Sequence, residues 1–199
     1  MDVGCFTQEA RKYFGKFIKY IGIDEKGYRS DTKVVNLHHG FEPIACSHAL
    51  CLETLEHLQS PKETLLSIYH SLQPEGRLVV SLPNEATIFH RFRCLFGIVD
   101  AQCWDSEGKH LHLPNLKQSV RFLSHQFVIE CQLYYISTSA NNSQQAWVGR
   151  ILKLLPDTIW QFLADHFPSL FARGFIFLLK KKPIPDNKSL QLPTQPQPF

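Results

Sequence analysis

The sequence predicts an α/β domain, a doubly wound and mostly parallel sheet with helices on both faces. Three observations carry that prediction. Short apolar runs alternate with amphipathic stretches along the chain, the signature of strand–helix–strand units. The first such unit is compact: Asp2-Val3-Gly4-Cys5-Phe6-Thr7-Gln8 reads as the end of a buried strand turning through a glycine into a helix, and Tyr20-Ile21-Gly22-Ile23-Asp24 as a second strand ending in a carboxylate twenty residues after Gly4. Finally, Gly4, Asp24, Asn36, Leu52 and Asn84 all fall at or just beyond predicted strand ends. One sheet edge collects them, and open α/β sheets bind their ligands at that edge.

The remaining elements follow in order. Ala10, Tyr13, Phe14 and Phe17 share one helical face over 9–17. Lys33-Val34-Val35-Asn36-Leu37 is a short strand, and 44–52 is an interrupted apolar run. Ser60 is the expected N-cap of a helix, with Pro61 at its first position, Glu63 as the capping-box carboxylate, and Leu65, Leu66, Ile68, Tyr69 and Leu72 as its apolar residues. Gln73-Pro74-Glu75-Gly76 reads as a turn, and 77–82 as a buried strand closed by Pro83-Asn84. Residues 85–117 form an insertion of mixed aromatic, basic and histidine content. A helix over 116–125, a strand over 127–136, a polar loop over 137–145, amphipathic segments over 146–155 and 157–167 and a last strand over 175–179 complete the domain, 1–182. The Pro- and Gln-rich tail 183–199 has a disordered composition.

Bulk properties exclude several classes. The 199 residues can bury one substantial core. A net charge of +3 with scattered basic residues gives no support to a nucleic-acid partner, and Lys180-Lys181-Lys182 reads as a solvated strand end. The six cysteines show no CxxC and no ligand-like spacing, which suits a reduced, cytoplasmic protein without structural disulfides. The chain opens directly on a strand-like segment rather than a signal peptide. No run reaches the ~18 apolar residues of a membrane span. A nucleotide-type cofactor is expected over the first turn, with Asp24 accepting hydrogen bonds from ribose hydroxyls.

The motifs resemble class I S-adenosylmethionine-dependent methyltransferases of the broad type 11 group, which includes MetW-like proteins and quinone O-methyltransferases. Asp2-Val3-Gly4-Cys5-Phe6-Thr7-Gln8 is similar to that group's first loop, Gly22-Ile23-Asp24 to its ribose-binding strand end, and Cys51-Leu52-Glu53-Thr54-Leu55-Glu56-His57 to its C-x-E-x-L-E-H. Leu72-Gln73-Pro74-Glu75-Gly76, the strand ending Pro83-Asn84, and His110-Leu111-His112 before Phe127 continue the resemblance over about residues 1–180. It implies a Rossmann-like fold and S-adenosyl-L-methionine as cofactor. Gly4 and its neighbours Asp2 and Cys5 would face the methionine part, Asp24 the ribose, Asn36 and Leu37 the adenine, and Leu52 would pack beside the cofactor. Glu53, Glu56 and His57 read as packing or capping residues at a helix start.

Two departures stand out. Phe6 and Gln8 replace loop glycines, and a backbone needing φ > 0 there opposes each by ~1 kcal/mol or more. The Phe6 ring either enters the cofactor space or turns into the core. Met1 falls within the first strand, where the group carries an upstream helix, so the chain reads either as a fragment or as lacking a lid. The leading expectation is methyl transfer to a small-molecule acceptor; the alternative is a degenerate or truncated domain kept as a binding module. His110 and His112 are the candidate bases and would share a face of an extended segment. No third ligand at metal spacing is evident, so no metal is expected. Trp104 is a candidate for stacking on a flat acceptor. The apolar stretch 147–171 reads as sheet-covering or dimer-forming helices rather than a membrane-surface contact.

Overall fold

The computed structural model describes residues 1–97, 110–136 and 156–183. Seven strands form one sheet: β1 (Asp2–Val3), β2 (Gly22–Asp24), β3 (Lys33–Val34), β4 (Cys46–Leu52), β5 (Leu72–Pro83), β6 (Phe127–Tyr135) and β7 (Gly174–Lys181). Their order is β3-β2-β1-β4-β5-β7-β6. The first five positions pair in parallel, and β7 runs antiparallel to both β5 and β6. The strand order reverses between β1 and β4, and at such a switch point neighbouring crossovers leave on opposite faces and open a crevice. The expected doubly wound, mostly parallel sheet is therefore present.

Among the described residues the helices are α1 (Pro61–Ser71), α2 (Ile88–Leu95), α3 (Leu116–Leu123), α4 (Asp157–His166) and α5 (Pro168–Phe171). The core gathers Val3, Ile23, Leu65, Ile68, Leu78, Val80, Phe175, Phe177 and Leu179 around the central strands. The alternation along β7, with Phe175, Phe177 and Leu179 all fully buried, is the period-2 pattern of a strand facing a helix layer.

Several local expectations need correction. The 9–17 helix is only a 3-10 turn, Glu9–Tyr13, with no buried residue, and Phe17 stands fully exposed. A face without a surface to cover does not propagate helix, because tertiary packing supplies most helical stability. Ser60 makes no side-chain cap; Glu63 and Thr64 donate instead to its carbonyl. The real capping box lies at α3, where Asn115 accepts from the Gln118 N–H and the Gln118 side chain accepts from the Asn115 N–H. The expected turn 73–76 is absorbed into β5 as a bulge: Cys46 pairs with Leu72 and His48 with Arg77, while Glu75 adopts φ 63°. The 146–155 segment, Trp104, and the tail from 184 onward lie outside the described residues.

Candidate functional site

The loop after β1 is built on left-handed backbone. Gly4 has φ 71°, Phe6 44° and Gln8 60°. At Gly4 a Cβ would meet Thr54 Oγ1 at 2.3 Å, so no other residue fits without displacing Thr54. Phe6 and Gln8 keep glycine-like conformations, each at ~1 kcal/mol or more, and are held there by side-chain contacts. The buried Gln8 amide donates to Thr32 Oγ1 at 2.9 Å and Asp31 Oδ1 at 3.2 Å, and its carbonyl accepts from Arg11 at 3.1 Å. Phe6 does not turn into the core. It is 57% exposed and packs edge-on against Tyr28, with ring centroids 4.4 Å apart.

This loop forms one wall of a cleft of about 880 Å³ at the carboxyl edge of the sheet, shared with Asp24, Leu37, His38, Glu53 and His57. The Asp24 carboxylate accepts from the Phe6 N–H at 2.8 Å and the Lys26 N–H at 3.1 Å. It thereby ties the β1 loop to the end of β2, and each oxygen keeps a further lone pair. Leu37 is buried, and its N–H donates to Glu25 at 3.2 Å. His38 Nδ1 accepts from the Gln59 N–H at 3.1 Å, leaving Nε2 to face Glu25 at 3.4 Å. On the floor, Glu53 (φ 46°) is fixed by Ser81 and Tyr135, whose hydroxyls donate to Oε1 at 2.7 and 3.3 Å.

Of the residues singled out for a cofactor, Gly4, Asp24 and Leu37 come together in the cleft wall. Asp2 is buried and receives the Tyr20 hydroxyl; burial raises its pKa above the usual aspartate value. Cys5 is also buried, which pushes its thiol up to about 11. Asn36 is exposed and its side chain accepts from the His38 N–H at 2.9 Å, an Asx turn. Leu52 ends β4 about one-third exposed. None of these four belongs to the cleft lining.

A second group of residues meets beside the cleft, assembled from three chain segments. After β4 the 3-10 turn Leu55–His57 turns Glu56 inward. The Glu56 carbonyl accepts from the N–H groups of Leu111 and His112 at 2.8 and 3.0 Å, which fastens the 110–114 strap onto that turn. His110 and His112 take different partners. His110 Nδ1 donates to Glu85 Oε1 at 2.7 Å, while His112 Nε2 bonds the Leu58 carbonyl at 2.9 Å. The carboxylate raises the pKa of His110, and the His110 hydrogen bond lowers that of Glu85. Glu56 is 1% exposed, and burial pushes its carboxyl up to about 7. Sequence reasoning read Glu56 as a packing or capping residue; neither of its carboxylate oxygens has a hydrogen-bond partner.

No protein-family model and no curated protein matches the chain in sequence. Solved structures match its fold. An S-adenosylmethionine-dependent methyltransferase from Archaeoglobus fulgidus superposes with TM-score 0.56 at 14% identity, over 90% of this chain and 84% of that one. One from Methanosarcina mazei gives 0.56 at 16% identity, over 90% of each chain. A Thermotoga maritima S-adenosylmethionine-dependent methyltransferase (possible histamine N-methyltransferase) gives 0.58 at 11%, over 91% of this chain and 81% of that one. Together with the strand order, these likenesses establish that the chain carries the class I methyltransferase fold.

Proposed function

We propose that the chain binds S-adenosyl-L-methionine in the 880 Å³ cleft and directs methyl transfer to a small-molecule acceptor. The observation that carries this reading is the meeting of Gly4, in left-handed backbone, with the Asp24 carboxylate at the carboxyl edge of a class I methyltransferase sheet. A ribose diol fits the remaining lone pairs of Asp24, and the buried Leu37 beside His38 and Glu25 suits an adenine edge. Asp2, Cys5, Asn36 and Leu52 lie outside the cleft lining, Asp2 receiving the Tyr20 hydroxyl and Asn36 the His38 N–H. Phe6 narrows the end of the cleft next to Gly4, where the methionine part would lie.

When bound, the cofactor supplies an electrophilic methyl group on a sulfonium. The chain's own part is proximity and alignment. On the acceptor side, Glu85 holds the Nδ1–H of His110, so its Nε2 lone pair is the one available there, whereas His112 is occupied by Leu58. We place the chain in the cytoplasm on its six cysteines, which show no CxxC and no ligand-like spacing.

Calorimetric titration of the purified chain with S-adenosylmethionine and with S-adenosylhomocysteine tests the reading. Saturable binding in the micromolar range, lost in Asp24→Ala, is the expected result. Absence of heat with a folded sample would overturn it in favour of a domain that no longer takes the cofactor, which the exposed Phe6 ring in the cleft would then explain.

A further inference from the structure

We infer that Glu56, His57 and His110 form a binding site for a divalent transition metal, zinc by donor chemistry. One donor atom from each of the three lies within 4.8 Å of the others, and His57 Nε2 stands 3.8 Å from Glu56 Oε1. Donors around a tetrahedral zinc sit ~3.4 Å apart, so a small contraction closes the set. Two imidazoles and one carboxylate are ligands of intermediate softness, suited to zinc and its neighbours rather than to magnesium or calcium.

The second, independent observation is the state of Glu56. Its carboxylate is fully buried, with both oxygens lacking any hydrogen bond. An ionised carboxylate in that position is strongly unfavourable unless a cation neutralises it. His110 adds a third feature. Its Nδ1–H is bound by Glu85, with His90 Nδ1 a further 3.7 Å from the other Glu85 oxygen. This fixes the tautomer and leaves Nε2 as the ligand atom, the carboxylate–histidine arrangement that orients metal-binding imidazoles. The rings of His57 and His110 already meet edge to face at 4.8 Å.

His57 also lines the cofactor cleft, and Glu56 lines a separate cavity of about 310 Å³ with His112, Pro114 and Phe122. The metal therefore sits between the two spaces, and three protein ligands leave a fourth position for an acceptor oxygen. A hydroxyl bound there would lose its proton more readily, so the cation would replace His110 as the means of activating the acceptor. That role rests on the methyl-transfer reading; metal binding does not.

The test uses the full chain, stripped with chelator and titrated with zinc or cobalt chloride without cofactor. One equivalent of metal should bind, and X-ray absorption of the zinc form should show nitrogen and oxygen ligands only. Glu56→Gln and His110→Asn should each abolish binding of that equivalent, Glu85→Gln should weaken it ~10–100-fold, and His112→Asn should leave it unchanged. Glu56→Gln removes a buried charge at constant shape, so its metal-free form should melt no lower than the parent, with unaltered circular dichroism. No stoichiometric binding by the parent chain, equal binding by Glu56→Gln and His110→Asn, or sulfur in the coordination shell (Cys94 and Cys131 being exposed thiols among the described residues) would each overturn the site.

Discussion

The two halves of the sheet are held by different forces. In the first, β1, β2 and β3 contain two, three and two residues, and the loops between them are pinned by side chains, Asp24 bonding backbone N–H groups and Gln8 bonding the side chains of Thr32, Asp31 and Arg11. In the second, β5, β7 and β6 contain twelve, eight and nine residues, paired along their length over buried Phe175, Phe177 and Leu179. The long half is scaffold. The short half spends its residues on shaping a cleft, and its geometry depends on a few polar contacts rather than on a ladder.

The largest expected effect lies in the scaffold. Phe177→Ala should lower stability by ~3–5 kcal/mol in urea denaturation, through lost burial and the cavity left behind. A loss as small as that of an exposed site would break the contrast. Next comes Gly4→Ala, whose Cβ meets Thr54 at 2.3 Å on a φ of 71°. It should lose ~2 kcal/mol or more and, with it, binding of S-adenosylhomocysteine. The two substituted loop positions should then part company. Phe6→Gly relieves backbone strain and opens the cleft, so stability should stay level or rise by ~1 kcal/mol and cofactor affinity should increase. Gln8→Gly relieves similar strain but removes three side-chain hydrogen bonds, and should destabilise by ~1–2 kcal/mol. Equal behaviour of the two variants in thermal melts would show that backbone strain alone governs the loop.

The smallest effect is a pH slope. Burial raises the Asp2 pKa in the folded chain, so the folded state holds its proton to higher pH than the unfolded state does. Stability from this group is present below the ordinary aspartate pKa and declines as pH rises through the raised folded value. Asp2→Asn should flatten that part of the stability profile while keeping an acceptor for the Tyr20 hydroxyl.

Much of the scaffold was legible in the sequence because its signals are local. Alternating runs, Pro61 at a helix start and Pro83-Asn84 at a strand end all act within a few residues. The bulge at 73–76 was not, since Gln-Pro-Glu-Gly reads as a chain reversal until pairing with β4 on both sides shows that the strand continues. The Asn115–Gln118 capping box lies where the insertion read over 85–117 meets the helix read from 116, so its cap fell on the insertion side of that boundary. In the candidate site, Gly4 and Asp24 could be placed from strand ends, and Leu37 through the resemblance. The grouping of Glu56 with His110 could not, because 54 residues separate them and only the strap fastened to the Glu56 carbonyl brings them together. Spacing rules for metal ligands see one segment at a time.

Asn84 donates its side-chain amide to the carbonyls of Pro168, Ser169 and Ala172, 3.2, 3.4 and 2.9 Å away, and accepts the Ala86 N–H at 3.0 Å. Both ends of one amide therefore anchor α5 to the end of β5, one residue before Glu85. Replacement of the amide nitrogen by oxygen, as in spontaneous deamidation, would turn an NH2 whose two hydrogens are shared among three carbonyls into a negative charge facing those three carbonyl dipoles. Chemical ageing at this one buried atom would loosen the seam beneath Glu85 and displace the partner that orients His110.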